Sequence, residues 1–408
     1  MRVDKHLLFL FLVFMFFPVS LTGFTVYKAI GVILSVLGVI SLTARKRAAP
    51  ILNRFFWALV VLCIAGIIGG VAFGHVNWDG VSRMLMSIVL FVIIAQIVES
   101  VADFRLVLGG IATGGLVTVL SGLAEIPGME AGERLAGAMA NPNGFGQVCV
   151  QTGICLLGLY LTGRGRFLRR LTFVLTALCV VGLLYSASRG ATTAFVASLL
   201  AMLSLRATRR TALAAIVVAG LAVMLVMPQQ LFDRWATAFH PRRAGRQSAL
   251  EQRIDLSKNG WVLFKRSPLV GVGVGNTVNA LRVIKSRYTI VTHNAFAQVL
   301  GETGTLGTSA FLLMLWWTMR GLSRAARSRG PETSSRTLSG LLMVLFVAVT
   351  VSQMSSGNYA HAIWYVLFAT GMKAVELARA EAPAALAAEL AYRPPGRVEP
   401  AGRTRGPW

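Results

Sequence analysis

Residues 144–185 read GFGQVCVQTGICLLGLYLTGRGRFLRRLTFVLTALCVVGLLY. Two apolar runs, 144–162 and 168–185, meet at a connector, 163–170, that holds Arg164, Arg166, Arg169 and Arg170. A helix needs roughly 20 mostly apolar residues to cross the hydrocarbon of a bilayer. Both runs approach that length, and their charge is confined to the connector. The stretch therefore predicts two membrane spans joined by a short basic loop.

The same pattern repeats outward in both directions. Further apolar runs lie at 7–23, 27–43, 55–74, 82–98 and 104–123 on one side. On the other they lie at 190–206, 211–227, 293–319, 337–354 and 359–375. The chain is 14% charged with a mean hydropathy of +0.67. A soluble domain carries about 25% charge, so the balance points into the bilayer. The fold class expected is an all-α polytopic membrane protein with about 12 spans.

The net charge of +24 does not indicate nucleic acid, because the cations cluster in short loops, where the positive-inside rule puts them. The loop 44–54 holds Arg45, Lys46, Arg47 and Arg54. Arg206, Arg209 and Arg210 crowd another, and Arg320, Arg324, Arg327, Arg329 and Arg336 a third. With an even number of spans, these loops share one side with both termini, and that side is the cytoplasm. The loops at 24–26 and 75–81 carry no Lys or Arg. The N-terminal run lacks a small-residue cleavage site and is read as an uncleaved first helix. Cys63, Cys149, Cys155 and Cys179 lie in or beside apolar runs without metal-ligand spacing, and read as small buried residues.

The domain reading is nine spans over 1–227, one large outer loop over 228–291, three spans over 292–375 and a disordered cytoplasmic tail over 376–408. The outer loop carries eleven Lys or Arg against Asp233, Glu251 and Asp255, a net of +8. A long loop can cross regardless of charge, but a basic loop outside the membrane calls for an anionic ligand or phospholipid. Its mixture of Trp235, Phe239, Ile254, Trp261 and Phe264 with cations suits helices lying in the interface.

Four clusters at the outer ends of spans could carry chemistry. Tyr185-Ser186-Ala187-Ser188-Arg189-Gly190 forms a tight turn. Its Arg189 lies on the side where the positive-inside rule does not place it, and a guanidinium binds phosphate bidentately. Thr292-His293-Asn294 opens a span, with Glu302, Gly304 and Gly307 further along. Neutral imidazole is the usual general base near pH 7. Glu302 is placed to orient neighbours or pair with an arginine. Glu251-Gln252-Arg253 is followed by Trp261, Lys265-Arg266 and Ser267-Pro268-Leu269-Val270-Gly271-Val272-Gly273-Val274-Gly275-Asn276. Those glycines lack the Lys-Ser/Thr of a nucleotide loop and read as a turn shaping the mouth of a groove. Arg134-Leu135-Ala136-Gly137 and Asn141-Pro142-Asn143-Gly144 enter a span from outside. Tyr359 and His361, at the outer end of the last span, could line the same groove. No outer loop has an Asp-x-Asp pair to hold a metal.

In this order the motifs resemble the O-antigen ligase family, which shares a superfamily with O-antigen polymerases and some bacterial protein O-oligosaccharyltransferases. The resemblance covers the topology, and its motifs lie within about 134–307. It implies a GT-C-like fold and an active site on the periplasmic face of the bacterial inner membrane. It implies metal-independent, inverting transfer of O-antigen from undecaprenyl diphosphate to lipid A-core, with no cofactor. Carried onto this sequence, His293 is the base. Arg189 and Arg253 hold the diphosphate, with Arg266 an alternative second arginine and Lys265 a further candidate. Ser188, Asn143, Asn294, Glu302, Tyr359 and His361 support the site. The rival of another class is a flippase for a lipid-linked anion, which would show midplane charges and broken helices.

Overall fold

The computed structural model describes residues 2–17, 20–21, 24–25, 30–33, 36, 53–130, 133–139, 141–163, 165–226, 249–285, 292–328, 334–356 and 359–391. Among them the regular secondary structure is helical apart from one pairing of two-residue strands, Ser20–Leu21 with Phe24–Thr25. The helices are α1 (Arg2–Phe16), α2 (Arg54–Ala72), α3 (Trp78–Ile97), α4 (Val101–Leu123), α5 (Pro142–Thr162), α6 (Arg166–Ser186) and α7 (Arg189–Leu203). They continue with α8 (Arg209–Val226), α9 (Ala249–Arg266), α10 (Thr277–Val283), α11 (Ala295–Arg327), α12 (Ser334–Ser356) and α13 (Ala362–Ala391).

Polar side chains at the span borders start these helices. Asn53 caps α2 by accepting from the Phe55 amide, and Asn77 caps α3 through the Gly80 amide. Ser100 and Asp103 form a reciprocal capping box on α4. Asn141 precedes Pro142 at the first position of α5, where a missing N–H costs nothing.

Six of the described helices are long and apolar enough to cross a membrane: α2, α3, α4, α5, α6 and α12. Their outward faces agree. On α2, Trp57, Val61, Ile64, Ile68 and Val71 recur at helical spacing and are all exposed. A soluble protein rarely leaves such a stripe bare, whereas lipid covers it at no cost. The expected spans at 190–206, 211–227, 293–319 and 359–375 are also helical but are not among those six. Most of 27–43 lies outside the described residues.

Two expected spans end differently. The first was expected at 7–23, but α1 stops at Phe16, because Pro18 forbids helical geometry just before it. It packs against α4, where Gly110 and Gly114 let Leu12 and Val13 approach the backbone, as small residues four apart do between membrane helices. Lys5 pairs with Asp103 at the same crossing. At the other end, α13 runs to Ala391, so residues 376–391 are helical where a disordered tail was expected. The Ala-rich composition of 374–391 favours helix.

The core is aromatic. Phe311 of α11, Phe346 of α12 and Trp364 and Phe368 of α13 are fully or almost fully buried. Phe311 meets Trp364 edge-on at 5.4 Å. All four cysteines are buried free thiols.

Candidate active site

The largest departure from a simple bundle lies in α11. Gly304 interrupts it with φ 59° and ψ −158°, a region essentially closed to residues with a Cβ. Two helical hydrogen bonds are lost there, and the chain replaces both. The Thr305 and Leu306 amides donate instead to the carbonyls of Pro268 and Leu269, at 2.8 and 3.1 Å. The freed carbonyls of Gly301 and Glu302 accept from the Val272 and Gly273 amides, at 3.0 and 2.9 Å. The segment 268–276 is thus plugged into the broken helix. Non-helical backbone at membrane depth is tolerated only when protein satisfies it in this way.

This corrects the reading of 267–276 as the mouth of a groove. Residues 271–274 are buried, and three helical glycines make room for them. Gly69 faces the Val270 and Gly271 carbonyls, Gly66 faces Val274, and Gly80 lies against the Val274 carbonyl. Asn77 donates to the Gly275 carbonyl at 2.9 Å, and Asn276 donates to those of His75 and Val272.

Glu302 locks the plug. It is 1% exposed and accepts four hydrogen bonds. Oε1 receives the Thr277 hydroxyl at 2.6 Å and the Gln298 amide at 3.1 Å. Oε2 receives the Gly275 N–H at 2.8 Å and the Tyr359 hydroxyl at 2.9 Å. No arginine is involved, so its role is to fasten α9–α10, α11 and the start of α13 together. Tyr359 belongs to this clamp and is itself buried.

The plug also fixes α9 against the first half of α11. Gly260 packs on Ala297, and Leu263 on Gly301. The two helices therefore advance in parallel. Arg253, two turns before Gly260, is carried to the level of His293, just before α11. Asn294 caps α11 by accepting from the Phe296 and Ala297 amides at 2.9 and 3.2 Å. The helix begins at Ala295, so His293 lies outside it, exposed, with a positive φ of 49°.

Arg189 arrives from another direction. Ala187 ends α6 in the left-handed conformation, with φ 48°, and buried Ser188 caps α7 through the Ala191 amide. Arg134 holds this turn from outside. Its Nε donates to the Ser186 carbonyl at 3.0 Å, and its Nη2 to Asn143 Oδ1 at 3.0 Å. Asn143 thus acts through Arg134. Gly146 lets the start of α5 close on Ser186 and Ser188. Gly190 does the same for Ser355 of α12, and a Cβ there would lie 4.0 Å from Arg253 Nη1.

Arg189, Arg253 and His293 therefore converge, with Arg253 electrostatically coupled to both of the others. Both arginines are half-buried. Among the described residues neither has an ion pair or a hydrogen bond to protein. Burial lowers the basicity of Arg253. Partial desolvation of the ring, and secondly the charge of Arg253, hold His293 below the ordinary histidine range, so it is neutral at neutral pH.

Two of the remaining candidates stand apart. Lys265 and Arg266 are exposed at the far end of α9, roughly 18 Å along the helix from Arg253. They do not join the cluster, because the straight helix Ala249–Arg266 separates them. His361 is exposed, and its Nδ1 accepts from the Ile363 amide at 3.3 Å, capping α13. Among the described residues no three His, Cys, Asp or Glu side chains converge as metal ligands.

Residues 174–312 match the family model for O-Antigen ligase. Over this segment, about a third of the chain, the protein is similar to the O-antigen ligase family. The segment contains Arg189, Arg253, His293, the plug and Glu302, so the family match falls on the converging cluster. Arg134, Asn143 and Tyr359, which act through other residues, lie outside it. Members of the O-antigen ligase family are glycosyltransferase-like membrane enzymes. No curated protein matches the chain.

Proposed function

We propose that this protein is an O-antigen ligase that transfers O-antigen polysaccharide from undecaprenyl diphosphate to lipid A-core. The observation that carries the reading is the pair Arg189 and Arg253, which feel each other's charge and, among the described residues, have no protein counter-ion, together with a neutral His293. Two half-buried cations near enough to feel each other's charge repel and are costly to desolvate. An anion between them removes both costs, and a diphosphate suits the planar donor edges of guanidinium.

The chemistry follows from that placement. The acceptor hydroxyl attacks the anomeric carbon, and the bond to the diphosphate oxygen breaks. The carrier leaves with an added negative charge, which Arg189 and Arg253 stabilise as it develops. The hydroxyl proton passes to the imidazole of His293. Attack opposite the leaving group inverts the anomeric centre. The arginines supply the electrostatic stabilisation at the diphosphate, and we take the reaction to need no cofactor.

The orientation belongs to the same proposal. The Arg-rich loops support an orientation with both termini in the cytoplasm and the cluster at the periplasmic face of the inner membrane. The GT-C-like architecture of about 12 spans, with the basic 228–291 segment outside, is part of this reading. So are the direct contacts of lipid-linked donor and lipid A-core with the cluster.

A broken helix is also a transporter feature. Here the chain's own loop fills the break, and the polar cluster sits at one end of the bundle, which favours a transferase. An O-antigen polymerase or protein O-oligosaccharyltransferase shares this site chemistry and differs in acceptor. Purified protein given carrier-linked polymer and lipid A-core separates the two main readings. A ladder of glycosylated lipid A-core supports the ligase. Longer polymer that remains on the carrier supports the polymerase.

A further inference from the structure

The opposite end of α11 forms a second polar recess, outside the family segment. It has a volume of about 770 Å³ and lies between the start of α2, the last turns of α11 and α13. Asn53, Arg54, Arg320, Arg324 and Arg379 line it, and Trp316 and Trp317 form part of its wall. Trp316 lies 21 residues beyond Ala295. At 1.5 Å per residue that is roughly 30 Å, the thickness of the hydrocarbon layer. The recess therefore sits at the level of the other headgroup layer.

We infer that this recess binds the phosphate headgroup of an anionic phospholipid. Two of its arginines are held by stacking. The Arg54 guanidinium lies 4.7 Å from the Trp317 ring centroid, and that of Arg320 lies 4.8 Å from Trp316. Stacking on an aromatic face orients the guanidinium and leaves its N–H edges free to donate. Among the described residues Arg324 and Arg379 have no carboxylate partner. The one carboxylate lining the recess, Glu376, is tied to Lys373 at 2.8 Å. Four guanidinium groups thus line a concave space with, among the described residues, Glu376 as the one opposing charge. Exposed Trp316, at 51%, supplies an amphipathic ring of the kind found at headgroup level. Basic pockets between helices at that level suit lipid phosphates, and the bilayer delivers such lipids at high local concentration. The inference does not depend on the transfer chemistry at the other end.

The test uses the full chain purified in neutral detergent, with retained lipid counted by native mass spectrometry. The probes are phosphatidylglycerol, cardiolipin and phosphatidylcholine, with inorganic phosphate as soluble competitor. The anionic lipids are expected to bind and phosphatidylcholine not to bind. At about fivefold per arginine near a charged interface, the double variant Arg320→Gln/Arg324→Gln should weaken binding by about 30-fold. Glu376→Gln removes the opposing carboxylate and should strengthen it. These positions are exposed, so the variants retain the fold, and the two shifts have opposite sign. Equal retention of phosphatidylcholine, or no response to either variant, overturns the proposal. Release of bound lipid by millimolar inorganic phosphate, with no lipid preference, assigns the recess to a free phosphate and overturns the lipid assignment.

Discussion

Glu302 offers a sharp distinction between a residue that builds the site and one that reacts in it. It accepts four hydrogen bonds, two on each carboxylate oxygen. In Glu302→Gln the new amide nitrogen can face Thr277 and Gln298. The Thr277 hydroxyl can turn to accept, and the Gln298 amide can flip to present its oxygen. The new carbonyl keeps the Gly275 N–H and the Tyr359 hydroxyl. All four contacts survive in number but become neutral. Neutral bonds contribute about 0.5–1.5 kcal/mol each, against about 1.5–3 for charge-assisted ones. The variant is also spared the burial of a charge, so its net cost is about 1–2 kcal/mol. Glu302→Ala is different. The hydroxyls can re-aim, but the Gly275 N–H and the Gln298 amide are stranded. At about 1–3 kcal/mol per unsatisfied buried donor, the cost is about 4 kcal/mol. That is a large part of a typical stability of about 5–15 kcal/mol. Thermal unfolding in detergent, followed by tryptophan fluorescence beside a transfer assay, reads both quantities. Glu302→Gln should unfold slightly earlier and keep most transfer activity. Glu302→Ala should unfold far earlier and lose activity with its fold. A Gln variant that unfolds like the parent yet transfers nothing would refute the reasoning, since the carboxylate would then act in the reaction.

Three further outcomes follow from the geometry. Gly304→Ala places a Cβ 2.5–2.6 Å from the backbone of Leu269 and Val270, at a φ of 59°. It should cost at least about 3 kcal/mol, measured as a lower unfolding temperature with the plug disordered to hydrogen exchange. Arg189→Gln and Arg253→Gln should each lower the transfer rate by about 10²-fold or more while expression and insertion hold. The double variant should lose less than the product of the two, because both serve one diphosphate. The acid limb of kcat/KM should fall below pH 6.5, the ordinary histidine value, because His293 is held neutral. Protonation removes the base, so activity falls as pH drops through that point. Arg253→Gln removes one of the two causes of the shift and should move the limb toward higher pH.

Much of the architecture was legible in the sequence because lipid imposes simple rules. Apolar runs of span length with Arg in the connectors mark membrane helices wherever they occur, as at 144–162 and 168–185. Arg189 stood out because a cation sat where the positive-inside rule does not place one, and His293 because it opened a helix. What stayed hidden depends on contacts between distant segments. The break at Gly304 cannot be told from an ordinary helical glycine until 268–276 is seen filling it. The signal was spread over Gly66 and Gly69, which read locally as common membrane-helix glycines, and Gly80, which falls in the expected loop 75–81. Lys265 and Arg266 looked like partners of Arg253 by proximity in sequence, but a straight helix holds them apart. Arg134 was read as part of a loop, although its guanidinium braces the Arg189 turn through two carbonyls and Asn143.

The central claim is that His293 removes the acceptor proton while Arg189 and Arg253 hold the diphosphate. The most direct test is His293→Asn in a transfer assay with purified protein, undecaprenyl diphosphate-linked polymer and lipid A-core. Asparagine tolerates the left-handed backbone at this position and removes the base without disturbing the turn. The account predicts an unchanged unfolding temperature, retained binding of the carrier diphosphate, and a rate of glycosylated lipid A-core formation lower by about 10²–10⁴-fold. A variant that binds the carrier and transfers at the parent rate would contradict it.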